Sequence, residues 1–436
     1  MTPRRLAVQA LLHQEQAGYA NLVLDAELKK CTPAPEPRDA AFAAGIFYTA
    51  VERMPLLDYL LGQFLKKPLA KLDAPVRAVL RAGLAQARFM QVPVSAAVNE
   101  SVKLTKAFGK TSAAGMVNAV LRRAAVQPVS ESDFADPLQR LQIYYCLSAP
   151  VAALLYSQYG DEAFAMAASF FEKPAAAVRV NTLKTTDAAL TARLQSEGCD
   201  AAPGPWAHCL LTKFSGSPAA TKAFAEGLYH VQGLASQFAA LCVQAQPGQK
   251  ALDLCAAPGG KSLTLAQCMQ DKGQLISGEF VPGRVSLLRK AFDRCGVHCA
   301  EALQNDATVP RPAWGTFDRV LCDVPCSGLG VIAKKPDIRC KDLAGMENLL
   351  QTQQKILQNG ADSLAKNGRL VYSTCTVNRD ENERQVQKFL TANPDFTLAA
   401  PPMAYPGAVD TGFGTLFLPH KTHTDGFFVA ILQKNH

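Results

Sequence analysis

No stretch of the sequence is apolar for long enough to read as a membrane span. The nearest candidate, Leu141 to Gly160, is interrupted by Gln142, Ser148, Pro150, Ser157 and Gln158 and reads as ordinary soluble structure. A signal-peptide pattern is missing too: Met1-Thr2-Pro3-Arg4-Arg5 runs straight into helical periodicity, and Asp25 and Glu27 soon follow. Histidine is scarce, with 7 residues, and neither Cys322-x3-Cys326 nor Cys295-x3-Cys299 has a second pair at zinc-site spacing, so no metal is expected. The His-x-Glu signature of zinc-dependent base deaminases is absent. Lys261-Ser262 lacks the preceding spacing of a triphosphate-binding loop, which disfavours a nucleotide-triphosphate hydrolase. The chain has no internal repeat and no low-complexity tract.

What remains is a chain of 436 residues, 48% hydrophobic and 19% charged, long enough for two to four domains and too apolar for extensive disorder. Its 45 Lys and Arg exceed its 37 Asp and Glu, a net charge of +8 that modestly favours a polyanionic partner. The 13 cysteines have no dense regular spacing, and reduced thiols in a cytoplasmic protein account for them most simply.

Residues from Arg4 to about Arg123 read as almost entirely helical, broken at Pro35, Pro68, Pro93 and Gly109. Leu72-Asp73-Ala74-Pro75 offers an Asp cap with proline in the first turn, ahead of a core-facing stripe of Val79, Leu80, Leu84 and Ala87. Lys103, Lys106 and Lys110 recur on one side of the helix after Pro93, with Arg122 and Arg123 beyond. These residues fit either a solvated face or a surface for an RNA backbone. Residues 128–170 are expected to form a helical linking region, and 171–230 a small α+β module beginning near Arg179-Val180-Asn181.

From residue 231 to 436, strand and helix alternate. Strands are expected at Lys250 to Leu254, Gln274 to Glu279, Val297 to Glu301, Arg319 to Cys322 and Arg369 to Tyr372, and helices at Ser236 to Val243, Ser262 to Gln267, Arg284 to Cys295 and Leu343 to Leu364. Thr415 to Leu418 and Phe427 to Leu432 complete the pattern as an antiparallel pair. The result is a mostly parallel, Rossmann-like α/β sheet.

Chemistry gathers at the ends of its strands. Cys255-Ala256-Ala257-Pro258-Gly259-Gly260-Lys261 forms a compact turn between strand and helix, the usual place for a nucleoside in an open α/β sheet. Glu279 ends the next strand, 19 residues beyond Gly260, where an acid can accept hydrogen bonds from ribose hydroxyls; Asp306 and Asp323 follow later strands. Asp323-Val324-Pro325-Cys326-Ser327-Gly328 and Ser373-Thr374-Cys375-Thr376 each follow a strand. If those strands are parallel neighbours, two thiols share one pocket; a buried structural pair and a disulfide are the alternatives.

As an ordered set, these motifs together with Pro336-Asp337-Ile338-Arg339 and Asp425-Gly426-Phe427-Phe428 resemble the RNA cytosine-5 methyltransferases, most closely the bacterial ribosomal small-subunit enzymes of the RsmB/Sun type. The resemblance covers nearly the whole chain. It implies an N-terminal domain over residues 1–127 similar to the antitermination factor NusB, on helices that include Arg4 to Leu28, Arg38 to Arg53 and Asn118 to Arg123. The small module would bind RNA, with Arg179 and Asn181 lining the active side; Lys184 and the basic residues Lys103, Lys106, Arg122 and Arg123 are read as further contacts to the RNA backbone. The Rossmann-like domain would use S-adenosylmethionine, cradled by Cys255 to Lys261, with Glu279 on the ribose, Asp306 on the adenine side and Arg284 in support. Cys375 would be the nucleophile that adds to cytosine C6, Cys326 would help resolve the adduct, and Asp323 would bind the cytosine edge. The implied substrate is 16S ribosomal RNA before the small subunit is fully assembled, and the enzyme is expected to act as a monomer without membrane or metal. Two positions depart from the pattern: Gly233 stands where relatives often carry Asp, and Val324 where they frequently carry Ala. The same chemistry on transfer RNA, and a catalytically silent RNA-binding assembly factor, are the rival readings.

Overall fold

The computed structural model describes residues 1–15, 20–214 and 216–435, and divides into two compact units: Met1–Phe171 with Lys334–Leu343, and Glu172–Ala333 with Ala344–His436. The helical reading of Arg4 to Leu28 crosses residues 16–19, which lie outside the described residues.

The first unit is helical. Its main helices are α1 (Pro3–Gln14), α2 (Ala20–Lys29), α3 (Pro37–Glu52), α4 (Met54–Gly62), α5 (Ala74–Phe89), α6 (Val94–Ala107) and α7 (Ala114–Ala124). Helix α5 is the centre: it packs against α1, α3, α4, α6 and α7 and buries Val76, Val79, Leu80 and Leu84 on one stripe. Proline enters its first turn as expected, but Asp73 makes no side-chain cap; its carboxylate pairs with Lys110 Nζ at 2.6 Å, a full charge outcompeting an amide. Arg81, 8% exposed, is anchored by Asp58 and Glu15.

Residues 128–170 pack within this unit, with helices Ala149–Tyr159 and Glu162–Ser169. The stretch Lys334–Leu343, which follows the Cys326 loop in sequence, belongs to the same unit. Its Arg339 is 1% exposed, donates to the carbonyls of Tyr145 (3.0 Å) and Phe170 (2.6 Å), and lies over the Phe171 ring. A buried guanidinium needs such acceptors to offset its lost hydration.

The second unit holds two sheets. Strands β1 (Ala176–Val180), β2 (Asp200–Pro203), β3 (Cys209–Lys213) and β4 (Tyr229–Val231) form an antiparallel sheet in the order β2-β3-β1-β4, with the helix Asp187–Ser196 packed on it. This is the expected small α+β module. The larger sheet runs β11 (Val409–Asp410), β12 (Thr415–Phe417), β13 (Phe427–Lys434), β9 (Leu364–Thr374), β8 (Phe317–Asp323), β5 (Lys250–Asp253), β6 (Gln274–Glu279), β7 (Ala300–Gln304), and β10 (Phe396–Leu398) pairs with β13. Strands β5 to β9 pair in parallel, while β10 to β13 pair antiparallel. The chain steps from β5 outward through β6 and β7, then returns to the other side of β5 as β8. That reversal opens a crevice at the carboxyl ends of β5 and β8.

Asn181 secures the small sheet to the larger one. It is fully buried at the end of β1, and its Nδ2 donates to Gly227 O (2.8 Å) and to Cys295 O (2.7 Å), the last residue of helix Pro282–Cys295. Its Oδ1 accepts from Leu183 N and Gln267 Nε2. Asn181→Ala strands these groups without partners and is expected to cost about 1–3 kcal/mol in denaturant unfolding; an unchanged unfolding midpoint would contradict this role.

Candidate active site

The site is assembled by strand register. Strands β8 and β9 run parallel with Asp323 opposite Ser373, whose hydroxyl donates to Asp323 Oδ1 at 2.7 Å. One step further Val324 N donates to Ser373 O, and the chains then open into two adjacent loops. Cys326 lies three residues past Asp323 and Cys375 two past Ser373, and these short exits bring their sulfurs side by side at 3.1 Å. This is hydrogen-bonding distance and well beyond a covalent S–S bond of about 2.05 Å. Both side chains are partly exposed, and neither is in a disulfide. Of the alternatives left open by sequence, two thiols sharing one pocket is the one observed.

Asp323 is held from its other side by Lys261, whose ammonium donates to Oδ2 at 2.6 Å and lies 5.2 Å from the centre of the Phe427 ring. Burial alone would pull the Lys261 pKa down; the Asp323 charge and hydrogen bond outweigh it and hold the value above the ordinary lysine range. Lys261 was expected in the cofactor cradle, and its position makes it also the counter-charge of Asp323.

The two loops are joined by a close backbone crossing. Gly330 N donates to Cys375 O, and Gly426 N donates to Gly330 O. A Cβ on Gly330 would sit 1.9 Å from Gly426 O, so this crossing requires glycine. The Asp425-Gly426-Phe427-Phe428 motif thus acts through its backbone as well as through the Phe427 ring.

Beside Asp323 opens a cleft of about 430 Å³ lined by Cys255, Ala256, Ala257, Pro258, Gly260 and Lys261, with Asp253 at its base. Gly259 turns the chain into helix Gly260–Cys268 with φ +109°. Asp253 is fully buried; its Oδ2 accepts from Ser262 Oγ at 2.7 Å, and its Oδ1 has no partner. Burial, assisted by the nearby Asp323 charge, pushes its pKa up to about 7 against the opposing pull of Ser262 and Lys261. Sequence reasoning missed this residue, although it ends the strand that leads into the loop. The Gly233 position lines the same cleft as the N-cap of helix Leu234–Cys242, and makes no side-chain cap there.

Glu279 and Asp306 stand at or just past the ends of β6 and β7, outside the residues lining this cleft. Glu279 accepts from Val281 N at 2.9 Å and pairs loosely with Arg284, which donates to Ala257 O at 2.8 Å and so braces the loop. Asp306 accepts from the Thr308 hydroxyl and amide, and these bonds hold its pKa below the usual carboxylate value.

The expected RNA contacts fare differently. Arg179 is 3% exposed and donates to Ala207 O, and burial lowers its pKa; with Asn181 fully buried, neither offers its side chain to RNA, and both are corrected to structural residues of the module. Lys184 donates to Arg294 O (2.7 Å) and Glu226 O (3.0 Å), capping the end of a helix. In the first unit Lys106 and Arg122 are exposed, Lys103 pairs with Glu100, and the Arg123 guanidinium lies over Phe64.

Comparison with known proteins matches residues 240–433 to the family described as 16S rRNA methyltransferase RsmB/F, residues 1–126 to the NusB family, and residues 152–212 to the ferredoxin-like domain of RsmF/B-like methyltransferases. A probable ribosomal RNA small subunit methyltransferase B from Synechocystis is 33% identical over 96% of both chains, and its namesake from Bacillus subtilis is 33% identical over 99% of this chain and 98% of its own. The chain belongs to the RsmB/F methyltransferase family. Among solved structures, a methyltransferase homologue from Pyrococcus horikoshii aligns with a TM-score of 0.61 and 25% identity, covering 69% of this chain and all of that one.

The family's cofactor is S-adenosylmethionine, and the residues present fit it. The cleft has the volume of a small-molecule site, its loop approaches through glycine backbone, and Asp253 presents a buried acceptor lacking a donor. A cationic group bound beside Asp253 favours its carboxylate, so binding below about pH 7 must expel a proton. Affinity for S-adenosylmethionine is therefore expected to rise roughly tenfold between about pH 6 and pH 8 and to become flat in Asp253→Asn. Calorimetric titration across that range checks this, and a flat profile in the unaltered protein would contradict it.

Proposed function

We infer that this chain methylates C5 of a cytosine in 16S ribosomal RNA through a covalent bond between Cys375 and C6. The observation that carries this reading is the contact of the Cys326 and Cys375 sulfurs beside the Asp323–Lys261 pair. We further propose that it acts in the cytoplasm as a monomer, before the subunit is complete, while the base can still be drawn from its stack.

C5 of cytosine becomes nucleophilic only after a group adds at C6. The Cys375 thiolate forms the S–C6 bond, and the displaced C5–C6 electron pair makes C5 enamine-like as charge moves toward N3. Asp323, fixed by Ser373 and Lys261, receives the cytosine edge, and the Lys261 ammonium can pass a proton through it to N3. Asp253 and the Cys255 to Lys261 loop would hold S-adenosylmethionine, which would supply the methyl group to C5 as an electrophile and leave as the neutral thioether. C5 then bears both hydrogen and methyl. Cys326 takes that proton, the C5–C6 double bond re-forms, N3 returns its proton, and the S–C6 pair goes back to Cys375.

The ionisation of the sulfurs suits this order. In the resting pair the Cys326 pKa is raised, chiefly by its hydrogen bond with Cys375, then by burial and by the charges of Cys375 and Glu381. These influences favour the proton on Cys326 while Cys375 attacks. Once Cys375 is a neutral thioether, both of its contributions vanish; Cys326 can release its proton to water and become the base that the last step needs.

Cys375→Ala is expected to abolish methyl transfer and adduct, whereas Cys326→Ala attacks but releases slowly, leaving RNA bound to protein on denaturing gels. Normal turnover without adduct in Cys326→Ala would contradict its role. Supplying radiolabelled cofactor with ribosomal and transfer RNAs, followed by nucleotide-resolution mapping, is expected to place the methyl group on 16S RNA; incorporation confined to transfer RNA would overturn the substrate, and none into either would overturn the activity.

A further inference from the structure

A group that grips both cysteine loops lies six residues past Cys375. Glu381 is fully buried, and four donors converge on its carboxylate. Ser327 N (2.7 Å) and Gln353 Nε2 (3.0 Å) donate to Oε2, while Ser327 Oγ (2.5 Å) and Asn378 Nδ2 (3.0 Å) donate to Oε1. Two donors reach each of the two carboxylate oxygens. Its backbone is fixed as well, since Tyr372 Oη donates to Glu381 O at 2.7 Å.

The donors come from both sides of the sulfur pair. Ser327 directly follows Cys326, and its hydroxyl also meets Thr376, which directly follows Cys375, at 2.8 Å. Asn378 lies further along the Cys375 loop, and Gln353 also donates to Pro325 O at 2.9 Å, the residue before Cys326. A chain of hydrogen bonds therefore runs from the Cys375 loop through Thr376 and Ser327 to Glu381 and back through Asn378. Apolar residues could hold two loops together without the cost of burying a charge. A carboxylate adds direction, because its four bonds fix each loop at an angle as well as a distance, and it places a negative charge next to the sulfur that serves as base.

We propose that Glu381 is a positioning residue of the reaction: its carboxylate clips the Cys326 loop to the Cys375 loop, so that one sulfur reaches C6 while the other reaches the C5 proton of the same base. This rests on the reading of the two cysteines given above. Glu381 touches no reacting atom and acts through Ser327 and Cys326. Glutamine at this position keeps the size but turns an amide N–H₂ against two donors and removes the charge.

The test compares Glu381→Gln, Glu381→Asp and Ser327→Ala with the unaltered enzyme, following methyl incorporation and covalent protein–RNA complex in the same samples, at a temperature where circular dichroism shows each variant folded. In Glu381→Gln, kcat is expected to fall on the order of 10- to 100-fold with the RNA KM within about threefold, while covalent complex accumulates, because release depends on Cys326 more than attack does. Ser327→Ala, which removes only the hydroxyl links, is expected to show the same build-up to a smaller extent and keeps the test open if the glutamine variant does not fold. Glu381→Asp, which retains the charge, is expected to recover more release than Glu381→Gln. A second readout needs no RNA: in a Cys375→Ser background, the pH midpoint of Cys326 alkylation is expected to drop when Glu381→Gln is added. Parent-like turnover in Glu381→Gln, or attack and release lost in equal proportion with an unmoved alkylation midpoint, would overturn the proposal. Failure of the unaltered enzyme to methylate RNA would instead overturn the reading of the cysteines.

Discussion

Everything at the site depends on the parallel pairing of β8 with β9. Because Asp323 and Ser373 stand opposite each other, the loops that follow leave the sheet at the same level, and the two sulfurs meet without either loop being long. A slip of one residue would turn every side chain on β9 to the other face, carrying Ser373 away from Asp323. The register is protected by what lies beneath it: β8 and β9 are central strands, with Val320, Leu321, Leu370 and Val371 essentially without exposure.

Around that frame, polar groups are buried in pairs and networks. Lys261 with Asp323, Ser262 with Asp253, and the donors around Glu381 each give a carboxylate its hydrogen-bond partners. The Asp253 Oδ1 is an exception, and it borders the cleft. Satisfied groups hold the loops, and the Asp253 Oδ1, one of several buried polar atoms without a hydrogen-bond partner among the described residues, offers an acceptor at the cleft. The contact between the sulfurs raises the Cys326 pKa, chiefly through its hydrogen bond with Cys375.

Much of this was legible in the sequence because it is written in local periodicity and spacing. The Gln274 to Glu279 strand was read at its observed limits, and the meeting of Cys326 and Cys375 followed once their strands were taken as neighbours. The strand expected at Val297 to Glu301 lies at Ala300–Gln304, since Val297 to Cys299 still serve the turn out of the preceding helix. Long-range partners were not legible. Nothing local to Asp73 shows that Lys110 will claim it, and nothing local to Arg179 or Asn181 shows that the module folds over them. Glu381 was missed for the same reason: among Asp380, Asn382 and Glu383 it reads as one more charge on a surface helix start, and only the folded loops reveal four donors around it.

The account stands on Cys375 being the sulfur that bonds to carbon. Transcribing the RNA with 5-fluorocytidine places at C5 an atom that cannot leave as a cation, so an enzyme that adds at C6 and methylates C5 is locked to its substrate. Digestion of the locked complex and mass spectrometry of the peptides are predicted to find the modified pyrimidine on Cys375 and on no other residue. A label on Cys326, or no covalent complex from an enzyme that methylates ordinary RNA, would contradict it.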